Sequence, residues 1–382
     1  MQYSHPQIRQ IARRIPILCA LYFVLFAFGY LLLLQCDVLA QTHFALSQGQ
    51  AYYQPLPATI LSTLLLFLLG LLLSRLLTWL PLRLKAAVWF PSFFLLGLLT
   101  SWHFPSLGDP AALPRWPRLL LPVGLYLLLL VLGRLHSDSS KERDTFSTYA
   151  WPNALLLVLF TCATVVVSNT DASLHRTLRA LRQLSQRDYA AVLQTARYET
   201  SPSPQLTASL AYALSKQGLL GERLFAYAQP YGSEGLLPHL ADSTLFFDLP
   251  RAVGAHLGYR RGDHTPVPLF LEAVARRPNA QPAARHYRLC ALLLQRRTSD
   301  FRHLLLQGDT LSVALPLHYR EALLLEQQLH PQSADTLPDA DLARQFHDFD
   351  SLRRLPGTAP QRELRLRQHF PDTYWTYYYC GK

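Results

Sequence analysis

Long uncharged apolar runs constrain the fold of this chain more than any other feature, and they are confined to its first 168 residues. The first run, residues 15–35, contains no charged side chain and follows Arg9, Arg13 and Arg14. About 20 apolar residues in a helix span the ~30 Å hydrocarbon core of a bilayer, whereas a secretory signal has a shorter apolar centre. The run therefore predicts a membrane-spanning helix.

Four further runs raise the predicted number of spans to about five. These spans are residues 15–35, 58–80, 86–102, 119–133 and 151–167. Within them the only charged residue is Arg75, near the end of the second run, where a long side chain can reach the membrane interface. The predicted fold class is all-α, with a transmembrane bundle in residues 1–168 and a soluble helical domain in residues 169–382.

Basic residues in the loops predict the orientation. If the spans alternate, eight basic residues lie on the side of the N-terminus: Arg9, Arg13, Arg14, Arg83, Lys85, Arg134, Lys141 and Arg143. The opposite side has Arg115 and Arg118. Positive charge accumulates on the cytoplasmic side, so the N-terminus is predicted to be cytoplasmic and the soluble domain periplasmic, at a bacterial inner membrane. An even number of spans would reverse the side of that domain.

Charge and cysteine usage exclude other classes of protein. The net charge is +11, with 11 Lys and Arg against 5 Asp and Glu up to residue 168, and 25 against 20 beyond it. Because the soluble part has no basic block, nucleic acid is not an expected partner. The five cysteines show no metal-ligand spacing, so no metal or cofactor is predicted. Pairing of Cys290 with Cys380 stays open.

Amphipathic helices alternate with turns beyond residue 171. Leu174, Leu178, Leu181 and Leu184 recur at helical spacing, and Gly218 suits a left-handed helix end. Four such helix pairs follow one another with turns ~31 to 45 residues apart, a spacing that predicts a tetratricopeptide-like repeat. The alternative is an irregular all-helical domain.

Polar residues on the first helix of each pair are candidates for binding a partner, because that helix lines the concave groove of such repeats. They are His175, Arg179, Arg182, Tyr212, Lys216, Arg251, Arg285 and Arg288. A basic groove favours acidic peptides or C-terminal carboxylates, and the competing interpretation is an ordinary solvated surface.

Signatures of catalysis are absent from the sequence, which has no zinc-protease, phosphate-loop, serine-hydrolase or dinucleotide motif. Asp37, in the loop expected after the first span, is a weak catalytic candidate. The acidic stretch from Asp339 to Asp350, which includes His347, is interpreted as a solvated helix face rather than a metal site. The aromatic segment 374–379 fits a strand, a packed tail or a membrane contact equally well.

Several segments resemble an uncharacterised family of Gram-negative bacterial membrane proteins. They are Leu46–Gln50 with Tyr53, Phe90–Ser92, Ala211–Phe225 and Leu236–Pro238. The resemblance extends from the first span to about Pro238. It implies several spans followed by a tetratricopeptide-like half, and it implies no activity or catalytic residue.

Together these features lead to three functional hypotheses. The first is a membrane-anchored interaction or scaffold module of the bacterial cell envelope, with the lipid bilayer and an envelope protein as partners and without enzymatic activity. The second is a membrane enzyme of glycosyltransferase type that acts on a lipid-linked envelope substrate through Asp37. A transporter comes third, because the spans contain so few ionisable residues.

Overall fold

Helices and connecting turns make up all of the chain that the computed structural model describes. The described residues are 6–47, 53–101, 116–135, 146–197, 199–238, 247–261, 265–278, 280–307, 314–331 and 339–381, and none of them is in a strand. Two compact units result, Met1–His175 and Arg176–Lys382. That residues 1–168 lie in lipid and residues 169–382 in water stays a prediction.

The part of the first unit that the structure describes contains six α-helices and two irregular helical segments. The α-helices are α1 (Pro6–Gly29), α2 (Cys36–Ser47), α3 (Pro55–Leu76), α4 (Phe90–Leu99), α5 (Trp116–Leu135) and α6 (Phe146–Val167). A π-helical turn, Tyr30–Leu34, continues α1, and a 3-10 helix, Leu82–Trp89, leads into α4.

Four helical segments among the described residues are long and apolar enough to cross a membrane. They are Arg13–Leu34, Pro55–Leu76, Leu82–Leu99 and Phe146–Val167. The remaining predicted span, 119–133, falls in α5, whose apolar stretch Leu120–Leu132 is shorter. Four apolar helices indicate membrane association, whereas a count of five stays a prediction. Arg115, Lys141 and Arg143, which entered the charge count, lie outside the described residues.

Two local expectations about this unit were wrong. Asp37 was expected in a loop, but it lies in the first turn of α2, where a carboxylate interacts favourably with the helix dipole. Arg83 and Lys85 were counted as loop residues, but they lie in the 3-10 helix that precedes α4. In both places a helical segment continues where the apolar pattern stops.

Helix α3 shows how the first unit packs. Its buried positions are Thr59, Thr63 and Gly70, while its leucines are mostly exposed. A Cβ atom at Gly70 would lie 2.3 Å from the Trp89 ring, so only glycine allows this approach. Small residues at the helix contact and leucines outside are typical of helices surrounded by lipid.

A buried amide side chain satisfies the irregular backbone of the 3-10 helix. The Asn153 side chain, on α6, accepts a hydrogen bond from the Ala86 N–H over 2.6 Å and donates to the Leu82 carbonyl over 3.0 Å. Since lipid offers no hydrogen bonds, non-helical backbone within a membrane needs partners of this kind. Thr164 of the same helix donates to the Phe93 carbonyl over 3.0 Å.

The described residues of the second unit form twelve α-helices, the first of which begins in the first unit, and two 3-10 helices, Leu224–Ala226 and Gly232–Leu236. The α-helices are α7 (Ala172–Ser185), α8 (Tyr189–Ala196), α9 (Pro204–Lys216), α10 (Leu220–Arg223), α11 (Leu249–Leu257), α12 (Val267–Ala275), α13 (Pro282–Leu294), α14 (Thr298–Leu306), α15 (Leu317–Leu329), α16 (Ala340–Arg354), α17 (Ala359–His369) and α18 (Tyr374–Cys380). Proline at the first turn begins α9, α11, α12, α13 and α17.

Three helix pairs share the same turn. The first helix of each pair, α7, α9 or α13, ends at a residue with positive φ: Arg187 (60°), Gly218 (72°) or Arg296 (59°). The next N–H then bonds to the carbonyl five residues earlier, as in Leu219 to Leu214 over 2.8 Å. This is the Schellman ending of a helix. The left-handed end predicted at Gly218 is therefore confirmed.

Helix α10 makes contacts far along the chain. The Glu222 carboxylate accepts a hydrogen bond from the Leu317 N–H, 95 positions away, over 2.7 Å. Phe225, just beyond α10, contacts the rings of His318, Tyr374 and Tyr377. The core thus joins helices that are distant in sequence.

The aromatic segment 374–379 is a packed helix, which decides among the three alternatives. Trp375 is fully buried, and its indole N–H donates to the Glu321 carbonyl oxygen over 2.8 Å. The Glu321 carboxylate accepts from the Tyr374 N–H over 2.8 Å and contacts His318. Cys290 and Cys380 are both free thiols, and burial raises the pKa of Cys290 to about 12.

Candidate functional site

A cleft of about 390 Å³ opens between α12, α13 and α14 in the second unit. Its lining includes the apolar side chains of Ala291, Leu292 and Leu304, together with the charged side chains of all three helices. Eight of its twelve lining residues have polar or charged side chains, and its volume is large enough for a short peptide segment or a small ligand.

Helical spacing places the lining residues of each helix on one face. On α13, Arg288, Ala291, Leu292 and Gln295 recur every three or four residues, while the neighbouring Tyr287 is fully buried in the core. The buried residues therefore fix α13 in place, and the opposite face of the same helix forms the lining of the cleft.

Charged groups in the cleft are unequally neutralised. The Arg288 side chain is 19% exposed, and its Nη2 lies 3.8 Å from Glu272 Oε1. The same Glu272 oxygen forms a closer ion pair with Arg276. Arg297 pairs with Asp300, 2.6 Å away. Three arginines thus share two carboxylates, and Arg288 has the longest of these contacts.

Burial is the main influence on the charge of Arg288. It lowers the pKa of the guanidinium, and the Glu272 carboxylate opposes that shift. The lowered pKa means that burial removes more hydration from the charged guanidinium than its acidic neighbours compensate. The guanidinium remains charged at neutral pH and has donors available to an additional acceptor.

Two of the predicted partner-binding residues contact each other. The Lys216 ammonium lies 5.4 Å from the Tyr212 ring centre. Tyr212 is buried beside Tyr189 and His256, and burial is the main reason that its pKa rises to about 12. Tyr212 therefore acts mainly as a core residue, with Lys216 covering it.

The other predicted partner-binding residues have separate surroundings. His175 belongs to the first unit, where its Nε2 lies 3.1 Å from the Asn169 carbonyl oxygen. Arg179 and Arg251 are exposed, and Arg182 is half-buried. Arg285 donates to the Leu304 and Leu305 carbonyls at the end of α14. A common groove for all eight residues stays a prediction.

The sequence identified Arg288 as a candidate but missed Glu272, Arg276 and Arg297. Only first helices of pairs were considered, whereas α12 is the second helix of its pair. The spacing of Pro268, Glu272 and Arg276 by four residues was the available signal, because it places them on one helix face.

The weak catalytic candidate Asp37 lies in the first unit and is only 3% exposed. It follows the π-helical turn and Gln35, whose amide donates to the Tyr30 hydroxyl and to the Asn169 carbonyl over 3.1 and 3.0 Å. Interrupted helices with buried polar groups are frequent at functional sites of membrane proteins.

Acidic residues between 339 and 350 have structural partners. Asp339 caps α16 by accepting from the Leu342 N–H over 3.0 Å and forms an ion pair with Arg320. Burial raises the pKa of Asp350, but hydrogen bonds from Arg353 and Arg354 outweigh it and lower the pKa overall. Among the described residues, no three His, Cys, Asp or Glu side chains are grouped to hold a metal ion.

Comparison with known proteins identifies the family. No curated protein and no solved structure matches the chain. A family model matches residues 3–265 and 260–381, and thus nearly the whole sequence. The uncharacterised family expected from the resemblance is confirmed at this level. The chain belongs to DUF6057, a family of unknown function.

Proposed function

We propose that this protein is a membrane-anchored interaction module of the bacterial cell envelope. The apolar helices of the first unit hold it in the bilayer, and the second unit binds a protein partner. The observation that carries this proposal is the cleft between α12, α13 and α14, which is open and lined by an incompletely neutralised arginine. A packed helical unit with an open, charged cleft is suited to binding.

The second unit is proposed to be a tetratricopeptide-like repeat. Support comes from the identical turns at Arg187, Gly218 and Arg296, each joining the two helices of a pair. Helices α12 and α13, which border the cleft, would then belong to successive pairs. Such repeats usually bind through their concave surface, lined by first helices, whereas two of the three helices at this cleft, α12 and α14, are second helices.

For the membrane part we propose five spans, with α5 as the fifth apolar helix, in a Gram-negative inner membrane. The basic-residue count favours a cytoplasmic N-terminus, so the second unit is proposed to be periplasmic. Alkaline phosphatase fused after Ser201 should be active, and a fluorescent protein that folds only in the cytoplasm should be dark. The reverse result would mean an even number of spans and would end the envelope proposal.

Site-specific photo-cross-linking in cells tests the interaction. A photoreactive amino acid replaces Gln295, which lines the cleft, in the full-length chain. The matched control carries it at Leu364 on α17, which is 58% exposed and is not part of the cleft lining. We expect a discrete adduct from position 295 alone. No adduct at 295, or the same adducts at both positions, contradicts the proposal.

A membrane enzyme that acts on a lipid-linked substrate is the second candidate, and the burial of Asp37 favours it. A carboxylate kept from solvent beside an interrupted helix can serve as an acid or base. Asp37→Asn keeps the shape of the side chain but removes the charge. The enzyme proposal expects the variant to behave like a deletion at unchanged protein level, and wild-type behaviour would refute it.

A further inference from the structure

Among the described residues, Arg288 differs from the other arginines of the cleft in having no carboxylate nearer than 3.8 Å. The 3.8 Å between its Nη2 and Glu272 Oε1 is longer than the 2.7–2.9 Å typical of a charge-assisted hydrogen bond. Arg276 and Arg297 each have a nearer acidic partner, Glu272 and Asp300. The Arg288 guanidinium therefore forms no short charge-assisted hydrogen bond with Glu272 or Asp300.

The side chains next to Arg288 set the kind of group that fits. Ala291 and Leu292 are buried residues of the same helix face, and Leu304 lies opposite on α14. A guanidinium that is 19% exposed beside apolar carbon binds an anion more strongly than it would in water, because screening there is weaker. Planar carboxylates match the two parallel N–H groups of arginine.

We propose that the cleft binds an acidic peptide segment of a protein partner, with a carboxylate on Arg288 and an adjacent apolar side chain over Ala291 and Leu292. This inference rests on the proposed interaction function and names the chemistry of the partner. Glu272 acts as the internal competitor, because its carboxylate occupies the positive field that the incoming carboxylate needs.

Removing the charge of Arg288 and removing the charge of Glu272 should change the affinity for the peptide in opposite directions. Arg288→Gln removes the guanidinium that binds the peptide carboxylate, so it weakens binding. Glu272→Gln removes the competitor, frees Arg276 and Arg288, and strengthens binding. A gain in affinity cannot result from misfolding, so the second variant keeps the test informative even if the first is unstable.

Peptide binding to full-length protein in nanodiscs of zwitterionic lipid tests the inference. The probe is a fluorescent octapeptide of alternating leucine and glutamate, and its control contains glutamine instead of glutamate. We expect the glutamate peptide to bind at least about tenfold more tightly, Arg288→Gln to abolish that difference, and Glu272→Gln to increase affinity several-fold. Arg344→Gln on α16, whose side chain is 74% exposed, is the matched control and should change nothing.

Several outcomes overturn the inference. Equal binding of the two peptides, or unchanged affinity in Glu272→Gln, would show that carboxylates are not recognised. Displacement by inorganic phosphate without discrimination between the peptides would assign the cleft to phosphate. An adduct at position 295 that persists in Arg288→Gln would retain the interaction function and reject only its carboxylate chemistry. If no adduct forms, the interaction function itself fails.

Discussion

Helix α3 of the first unit and helix α13 of the second bury opposite kinds of side chain. In the first unit, α3 turns Thr59, Thr63 and Gly70 inward and its leucines outward. In the second, α13 buries Tyr287, Leu289 and Leu293 and leaves His286 exposed. Leucine gains nothing by leaving lipid, whereas it gains about 2 kcal/mol by leaving water. The free energy of transferring leucine out of its surroundings thus accounts for exposed leucines on α3 and buried leucines on α13.

The largest expected effect comes from a substitution in the apolar core of the second unit. Trp375→Ala removes a fully buried ring that packs on Phe346 and Phe349, and should lower the free energy of unfolding of that unit by about 3–5 kcal/mol. Hydrogen exchange resolved by peptide on full-length protein in detergent measures the loss. Leu364→Ala, at an exposed position, serves as control and should cost under about 0.5 kcal/mol.

The next prediction concerns the polar contact of the first unit. Asn153→Leu would be harmless if apolar residues alone stabilised this part. Because it leaves the Ala86 N–H and the Leu82 carbonyl unsatisfied, we expect a loss of about 1–3 kcal/mol. Thermally induced maleimide labelling of the buried Cys19 thiol should begin at a lower temperature. Leu155→Ala, at an exposed position of the same helix, is the control.

Acid should destabilise the second unit through His256. Burial, aided by Lys216, lowers the pKa of His256 from 6.5 to about 4. The unfolded chain therefore binds more protons between these pH values, so stability decreases as pH falls from 6.5 and the loss is complete below about 4. Since solvent reaches part of the ring and screens its charge, we expect a loss of about 1–2 kcal/mol.

Denaturation of the wild type and of His256→Gln at pH 7 and pH 4.5 tests this. The Ser215 hydroxyl lies 2.8 Å from His256 Nε2, and a protonated ring can only donate across this contact. The glutamine variant should lose less stability on acidification than the wild type. Parallel losses in the two proteins would assign the acid sensitivity to other groups.

The smallest effects test the shared turn. Arg187 and Gly218 occupy the same left-handed position, but only glycine adopts it without cost. Arg187→Gly should stabilise the second unit by about 0.5–1 kcal/mol, and Gly218→Ala should destabilise it by about 1 kcal/mol. No atom lies within 4 Å of a Cβ at Gly218, so the cost there is conformational. Denaturant midpoints measure both, and shifts of equal sign would contradict the comparison.

Local pattern sufficed for most helices of the second unit. Proline and Gly218 mark the two ends of α9, Pro204–Lys216, in the sequence. The next helix is less regular, because α10 ends at Arg223 and Leu224–Ala226 form a 3-10 turn. Phe225 there packs on Tyr374 and Tyr377, a contact that no local pattern indicates.

The site was less accessible to sequence analysis than the helices. Arg288 could be named because helical spacing places it off the core face. Its weak pairing with Glu272 depends on how α12 packs against α13, and the capping role of Arg285 depends on where α14 ends. Contacts between helices decide which arginines are neutralised, and these contacts cannot be derived from the spacing of residues within one helix.

The contact between Phe225 and Tyr374 affects how the protein can be made. A ribosome releases the chain in order, so Phe225 emerges long before the helix that covers it. Until then the 3-10 turn Leu224–Ala226 presents an uncovered aromatic side chain, of the kind that chaperones bind and that promotes aggregation. A stop codon shortly before Tyr374 would make that exposure permanent, and such products should be degraded rather than accumulate.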